Sequence, residues 1–253
     1  MNSLAATSPT YDDSFFDYIS IGSRRSAAIV VPLVLQHYTA TSLVDIGCGR
    51  GAWLSEWERA GVADYLGIDG EYVDRDKLLI PRDRFGTQNL AKRFDIGRRF
   101  DLVVSLEVGE HIHPEATQAF VDNLCTHSDA ILFSAAVPGQ GGLSHINEQN
   151  YAFWRRQFGA RGYRLFDVVR PKLRSKRDVE PWYRYNTMFY ARGDAVDRLS
   201  KEGRAAESKP NEPVPDISPL SWRLRNAVIR HLPSLIVDRL VEAKHQFVRR
   251  RYG

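Results

Sequence analysis

The chain of 253 residues is 43% hydrophobic and 26% charged, a composition that excludes a disordered or fibrous chain. Its two cysteines are too few for a disulfide framework and favour a reducing, cytoplasmic setting. The net charge of +4 arises after residue 193, because residues 194–253 hold 12 Lys/Arg and 8 Asp/Glu while the first 193 residues hold 23 of each sign. A neutral catalytic region argues against a bulk nucleic-acid substrate. The acidic start of the sequence is unlike a secretory signal. The longest apolar run, residues 27–35, is too short to span a bilayer.

Strand and helix patterns alternate along the chain after a polar lead over residues 1–22. Ser23 is a candidate N-cap for a first helix over 23–38, in which Pro32 predicts a kink. Short apolar runs bounded by turn residues predict strands at 42–46, 65–68, 85–88, 100–106, 130–135, 164–169 and 187–191. Helical patterns predict further helices at 53–60, 115–128 and 150–161, the last ended by Gly162.

This alternation predicts an α/β fold, a Rossmann-like doubly wound and mostly parallel sheet with right-handed crossovers. No clear crossover helix separates the last two strands, so we expect an antiparallel edge strand. The predicted domain spans 23–193. The composition shifts to Pro, Ser, Glu and Lys over 194–218, which predicts a linker, and helical patterning returns over 219–253.

A cofactor site is predicted where the first strand runs into a glycine-rich turn. Gly47, Gly49 and Gly51 let the backbone approach a ligand, and the following helix offers free N–H groups at its N-terminus. The third glycine of a dinucleotide fingerprint is missing, and no Gly-Lys-Ser/Thr follows, so a P-loop is excluded. Asp45, just before the turn, suits a cationic ligand end better than a pyrophosphate.

Three further strand ends complete the predicted cofactor site. The second strand ends at Asp69, whose carboxylate can accept hydrogen bonds from both ribose hydroxyls. Asn89 and Leu90 follow the third strand and suit the edge and the face of an adenine. Glu107 ends the fourth strand, beside the reactive end of such a ligand.

The stretch Asp-Ile-Gly-Cys-Gly-Arg-Gly over 45–51 resembles motif I of class I S-adenosylmethionine-dependent methyltransferases. The resemblance covers 23–191, includes the stretches 22–26, 66–70, 133–142 and 145–149, and is closest to bacterial methyltransferases encoded among polysaccharide and glycan biosynthesis genes. It implies S-adenosylmethionine as cofactor. The implied cofactor contacts are Asp45, Gly47, Cys48, Gly49, Gly51, Asp69, Asn89, Leu90 and Glu107. Relatives usually carry Asp at the position of Asn89, and an amide can also hydrogen-bond adenine. We interpret Cys48 as a packing residue.

A dense catalytic cluster follows the fourth strand, where the loops of open α/β sheets carry the chemistry. Glu107, Glu110 and His111 also resemble the Glu-x-x-Glu-His trio of the ubiquinone-pathway O-methyltransferases, which is tied to a divalent metal. Two carboxylates and one imidazole can hold Mg²⁺ or Mn²⁺, which would lower the pKa of an acceptor hydroxyl.

Two alternatives to this metal site stay open. In a metal-free mechanism, His111 or His145 takes the hydroxyl proton. In a structural role, Glu107 caps a loop and Glu110 pairs with a nearby base. The sequence names no fourth protein ligand, which favours the metal-free mechanism.

The segment 138–149 follows the fifth strand, is glycine-rich and ends in His-Ile-Asn-Glu-Gln. This pattern predicts a loop that closes over the acceptor and recognises it. Trp182, Tyr183 and Tyr185 cluster before the last strand. Their rings suit a sugar or a stacked base, or alternatively pack in the core.

The segment 219–253 holds eight Lys/Arg against two acids. Its apolar residues recur at helical spacing and include Leu232, Ile236, Leu240, Ala243 and Phe247. The pattern predicts a basic amphipathic helix, which can lie on an anionic membrane, dock on another chain or fold back on its own domain. Folding back or homodimerisation is the favoured interpretation.

Together these features predict an O-methyltransferase that acts on a hydroxyl of a sugar or glycan precursor by in-line transfer. A quinone-like or other small molecule is the alternative acceptor. A non-catalytic cofactor-binding subunit is the alternative from another class, and the density of Glu107, Glu110 and His111 argues against it.

Overall fold

The computed structural model describes residues 13–210, 212–233, 236, 237 and 239. The strands are β1 (Ser42–Ile46), β2 (Asp64–Asp69), β3 (Phe85–Thr87), β4 (Leu102–Leu106), β5 (Ala130–Ser134), β6 (Arg164–Phe166) and β7 (Met188–Ala191). The α-helices are α1 (Asp13–His37), α2 (Ala52–Arg59), α3 (Thr117–His127), α4 (Tyr151–Gly159), α5 (Arg170–Leu173), α6 (Pro181–Asn186), α7 (Asp194–Asp197), α8 (Lys201–Ala205) and α9 (Leu220–Ile229). Every predicted strand is present, with bounds that differ by only a few residues.

The seven strands form one sheet in the order β3-β2-β1-β4-β5-β7-β6. All pairings are parallel except those of β7, which runs antiparallel to both β5 and β6. The predicted antiparallel strand is therefore confirmed, but it lies second from the edge. All four residues of β7 are buried, whereas β6 begins with the exposed Arg164. A charged side chain is better tolerated at the edge of a sheet, and β6 is the edge strand.

Helices cover both faces of the sheet. Residues of α1 and α2, such as Val30 and Trp57, pack on one face, and residues of α3 and α4, such as Phe120 and Phe158, pack on the other. Every residue of β4 and β5 is buried, as expected for parallel strands covered on both sides. This packing fixes the strand ends that carry the site.

Helix α1 begins ten residues earlier than the sequence predicts, and Ser23 is therefore not its N-cap. Ser23 lies inside the helix, and its Oγ is 2.9 Å from the hydroxyl of Tyr183. Pro32 also lies inside the helix. The last ten residues of the predicted lead thus belong to α1, and residues 1–12 lie outside the described residues.

The predicted linker over 194–218 is partly packed on the domain. It contains α7 and α8, and Ala195, Val196 and Leu199 are buried. Leu199 forms a β-bridge with Tyr38, the residue that follows α1. Helix α9 folds back over the loop after β5, while most of the apolar pattern predicted over 232–247 lies outside the described residues. Within the described chain, no helix is both long enough and apolar enough to span a membrane.

Candidate active site

A cavity of about 380 Å³ opens at the carboxyl ends of β1 and β4, where the strand order reverses. Open α/β sheets bind their ligands at this switch point, and the volume is in the range of small-molecule sites. The glycine turn after β1, the residues after β4, the loop after β5, the start of α6 and helix α9 line the cavity.

The glycine turn has the backbone geometry that its sequence predicts. Gly47 and Gly51 have φ angles of 92° and 84°, and a Cβ on Gly47 would overlap the side chain of Val108. The turn therefore requires glycine for conformation and for space. Cys48 is a buried free thiol whose pKa is raised by burial, in line with a packing role.

Asp45 lines the cavity and is only 3% exposed. Burial, and then the carboxylate of Asp69, raise the pKa of Asp45 well above its usual range. A cation in the cavity would stabilise the ionised form of Asp45. The structure thus places an acidic group where the sequence predicts a cationic ligand end.

Asp69 ends β2 and ties the glycine turn to it. Its Oδ2 accepts a hydrogen bond from Gly49 N at 2.6 Å, and its Oδ1 accepts one from Gly70 N at 2.7 Å and another from the Tyr72 hydroxyl. Burial raises the pKa of Asp69, and these three hydrogen bonds oppose that shift. A ribose would therefore meet an oxygen that the Tyr72 hydroxyl already contacts.

Asn89 and Leu90 lie beyond β3, outside the lining of the cavity. Asn89 is exposed, and its Oδ1 accepts a hydrogen bond from Ala91 N at 3.0 Å, whereas Leu90 is buried. Their adenine contacts, like the ribose contact of Asp69, stay predictions.

Asp69→Ala is expected to weaken the binding of S-adenosylhomocysteine by roughly 1.5–3 kcal/mol, the range for hydrogen bonds to a charged group. Isothermal titration calorimetry measures the change. Asp64→Ala, at the exposed start of the same strand, is the matched control, because Asp64 pairs with Arg98 far from the turn. Unchanged affinity in Asp69→Ala would remove this residue from the cofactor site.

Glu107 follows β4 with a φ of 57°, a left-handed conformation that costs a non-glycine residue about 1–3 kcal/mol. Its N–H bonds to Ser134 O at 2.9 Å, and its Oε2 accepts a hydrogen bond from Gln140 Nε2 at 2.7 Å. Its Oε1 is buried without a hydrogen-bond partner. Burial raises the pKa of Glu107, and the hydrogen bonds from Gln140 and Ser134 oppose that shift.

Glu110 is fully buried, and among the described residues neither of its carboxylate oxygens has a hydrogen-bond partner of normal geometry, although the backbone N–H groups of Glu110 and Ala136 oppose the rise of its pKa. Burial, and then the neighbouring Glu107, raise the pKa of Glu110 well above its usual range. A buried carboxylate without donors is strongly unfavourable unless a proton or a cation neutralises it.

His111 and His145 meet edge to face beside Glu110, with ring centroids 4.9 Å apart. Nδ1 of His111 lies 3.2 Å from Ser144 O, and Nδ1 of His145 lies 2.8 Å from Glu148 Oε1. Because both partners are acceptors, Nδ1 of each ring is assigned as the hydrogen-bond donor. Burial, and then His145, lower the pKa of His111 to about 3.

The ligand atoms of Glu110, His111 and His145 lie within 4.8 Å of one another. The structure therefore adds His145 to two members of the predicted metal trio. Glu107, the third member, lies beside this group with one oxygen hydrogen-bonded to Gln140. His145 is the further ligand that the sequence alone does not name. It lies 34 residues after His111 in the chain, and only the fold brings the two side chains together.

Glu148 is a site residue that the sequence analysis does not single out. Its Oε2 accepts a hydrogen bond from Gly139 N at 2.7 Å, and its Oε1 accepts bonds from Gly141 N at 2.7 Å and from His145 Nδ1. One carboxylate thus shapes the loop after β5 and orients His145. The three-residue spacing of His145 and Glu148 is the signal that could have identified the pair.

The rest of this loop is bound to the protein itself. Asn147 is buried, and its Nδ2 donates to Gly109 O at 3.3 Å and to Thr117 Oγ1 at 3.1 Å, while Gln149 donates to Asn147 at 3.0 Å. These side chains hold the loop in place, so the acceptor role predicted for them finds no support in their contacts.

The predicted aromatic cluster divides between core and cavity. Tyr183 and Tyr185 are buried. Tyr183 packs edge-on against Trp53 with ring centroids 4.9 Å apart, and it also lines the cavity. Trp182 is half-buried and lines the cavity, as does Trp222 of α9, which the sequence analysis does not identify.

The strand order, the glycine turn at its switch point and the acidic and imidazole groups after β4 form the arrangement in which open α/β sheets bind their ligands. The profile of a family described as a methyltransferase domain matches residues 18–166, more than half of the chain, and the chain belongs to this family. It has the methyltransferase domain of that family. No curated protein matches the sequence.

Solved structures share the fold at low sequence identity. An O-methyltransferase family protein from Burkholderia thailandensis is 13% identical, with 71% of this chain and 57% of that chain covered and a TM-score of 0.53. The methyltransferase domain of bacterial CtHen1-C is 20% identical, with 68% and 99% covered and a TM-score of 0.49. Magnesium protoporphyrin IX methyltransferase from Synechocystis with bound S-adenosylmethionine is also 20% identical, with 74% and 86% covered and a TM-score of 0.44.

Proposed function

We propose that the protein methylates a hydroxyl group of a sugar or glycan precursor, and that Glu110, His111 and His145 hold a divalent metal beside that hydroxyl. The observation that carries the metal proposal is Glu110, whose two buried oxygens have no side-chain hydrogen-bond donor of normal geometry in the part of the chain that the structure describes. A divalent cation supplies the positive charge that this carboxylate lacks.

The two histidines fit a metal for an independent reason. Histidine ligands usually donate their second ring N–H to a carboxylate or a backbone carbonyl. His145 has Glu148 in this role and His111 has Ser144 O. The low pKa of His111 keeps its ring neutral, which ligation requires. Mg²⁺ or Mn²⁺ bound there would lower the pKa of the acceptor hydroxyl.

The chain's own groups fix the two reactants for in-line transfer. Asp45 faces the positively charged end of S-adenosylmethionine. The glycine turn lets the protein backbone approach the cofactor closely. The acceptor hydroxyl releases its proton to solvent water, its oxygen bonds to the methyl carbon, and the electron pair of the breaking carbon–sulfur bond stays on sulfur. S-Adenosylhomocysteine is the second product. Orientation of this kind supplies much of the catalytic effect in group transfer.

The cavity wall supports a ring-shaped acceptor. Trp182 and Trp222 line it, and indole rings suit the faces of sugar rings. The same two rings also suit a flat aromatic acceptor, so a quinol-like molecule is the second candidate.

Transfer of a labelled methyl group tests the proposal directly. Purified protein, labelled S-adenosylmethionine and Mn²⁺ or Mg²⁺ are incubated with sugar phosphates, nucleotide sugars and catechols. We expect label on oxygen of an acceptor from the first two groups, and micromolar binding of S-adenosylhomocysteine by calorimetry. Preference for NAD would contradict the cofactor. Cofactor binding without transfer to any hydroxyl would favour a non-catalytic subunit.

A further inference from the structure

Helix α9 adds a cationic group to the mouth of the cavity. It lies over the loop after β5, where Asn226 O occupies the space that a Cβ on Gly139 would take. Arg225 donates from Nη1 to Gln140 O at 2.8 Å and to Asn226 Oδ1 at 3.0 Å. The side chain of Gln140 in turn donates to Glu107. Arg225 is therefore one residue away from the catalytic carboxylates.

The guanidinium of Arg225 is anchored but has donors to spare. Toward the described residues only its Nη1 donates hydrogen bonds, and its Cζ lies 4.9 Å from the ring centroid of Trp222. Within the part of the chain that the structure describes, no carboxylate lies within ion-pair distance of it. By contrast, Arg170, Arg192 and Arg198 each pair with an aspartate.

The nearest acidic group is already engaged. Among the described residues, Glu148 is the one carboxylate that acts on Arg225 electrostatically, and its oxygens accept hydrogen bonds from Gly139, Gly141 and His145. Arg225 is exposed as a residue, and the partial burial of its guanidinium lowers its pKa without an ion pair in return. A ligand anion at the cavity mouth would supply that partner, and the planar fork of an arginine matches a carboxylate or a phosphate.

We infer that Arg225 and Trp222 form a subsite for an acidic group, a carboxylate or a phosphate, on a ring-bearing acceptor. The inference rests on the proposed methyl transfer and names the class of its acceptor. Trp222 supplies a face for the ring, and Nε and Nη2 of Arg225 bind the anion. Trp182, Trp222 and Arg225 all lie after residue 166, where the match to the methyltransferase family ends. The chain thus builds its acceptor wall outside the shared domain.

Small probes test the subsite without knowledge of the acceptor. Full-length protein saturated with S-adenosylhomocysteine is titrated with phenyl phosphate, benzoate, benzyl alcohol and inorganic phosphate by calorimetry. EDTA is present, so that no anion binds through a metal. We expect one of the two ring-bearing anions to bind at least tenfold more tightly than benzyl alcohol, and the stronger one identifies the acidic group.

Variants connect this preference to the two side chains. Arg225→Gln is expected to abolish the preference for anions. Trp222→Leu is expected to weaken the binding of phenyl phosphate and benzoate but not the binding of inorganic phosphate. Arg223→Gln, an exposed neighbour outside the cavity, is the matched control and keeps the preference. Unchanged melting temperature and S-adenosylhomocysteine affinity show that Arg225→Gln is folded.

Two outcomes overturn different statements. If Arg225→Gln binds the anions as tightly as the wild type, or if the wild type does not prefer them, the subsite is wrong. If the wild type does not bind S-adenosylhomocysteine at all, the proposed function is wrong. The preference of the wild type should also decrease as NaCl is raised, since salt screens charge pairs at an open mouth.

Discussion

Chelation with EDTA is expected to abolish methyl transfer by the purified protein, and Mg²⁺ or Mn²⁺ is expected to restore it. The reason is the group of Glu110, His111 and His145, in which the ligand atoms of a fully buried carboxylate and two imidazoles lie within 4.8 Å of one another. Initial rates with labelled S-adenosylmethionine measure the loss and the recovery.

Glu110→Gln should reduce turnover by more than about a hundredfold, which corresponds to about 2.7 kcal/mol. The substitution keeps the size of the side chain and removes the charge that attracts the cation. It should not lower the melting temperature of the metal-free protein, because an amide is less costly to bury than a carboxylate beside Glu107. Glu115→Gln is the control, since Glu115 is exposed and outside the cavity.

Activity that survives exhaustive chelation would contradict the metal site. The trio would then be an acid–base cluster, and the proton of the acceptor hydroxyl would pass to His111 or His145. The two mechanisms thus differ in one measurement on the unmodified protein.

His145→Ala is the second substitution with a large expected effect. We expect turnover to fall by more than about tenfold, as for the loss of a general base, and further if the ring is a metal ligand. The affinity for S-adenosylhomocysteine should not change. His113→Ala, at an exposed histidine whose ring bonds to the exposed Glu115 outside the cavity, should retain full turnover. Equal turnover in His145→Ala and the wild type would remove this residue from catalysis.

Glu148→Gln separates positioning from chemistry. Of the two terminal atoms of the amide, only the oxygen accepts hydrogen bonds. At least one of the bonds from Gly139, Gly141 and His145 is therefore lost. If Glu148 orients a metal ligand, the Mn²⁺ concentration for half-maximal activity should rise by about 10–100-fold. A purely structural role would lower the melting temperature and leave that concentration unchanged.

The sequence by itself determines the parts of this protein that depend on neighbouring residues. The glycine turn over 47–51 requires positive φ angles and close backbone approach, and both follow from the residues of the turn. The alternation of apolar strands with helices fixes the parallel sheet. Since strand ends meet at one edge of such a sheet, the positions of Asp45, Asp69 and Glu107 at that edge are also predictable.

Tertiary structure decides what depends on contacts between distant segments. The apolar residues of β7 need a partner on each side, and this places the antiparallel strand inside the sheet. His145 joins Glu110 and His111 because the loop after β5 folds back onto the turn after β4, where Ile146 N and Asn147 N both bond to Glu110 O. No local pattern encodes this pairing.

The same limit applies to the acceptor wall. Trp222 and Arg225 lie in a segment whose composition indicates only a basic helix, and their role appears when α9 covers the loop at Gly139. Helical periodicity gives the faces of a helix but not the surface on which a face packs. That surface is selected by shape and by hydrogen-bond partners, such as Gln140 O for Arg225, which only the folded chain brings together.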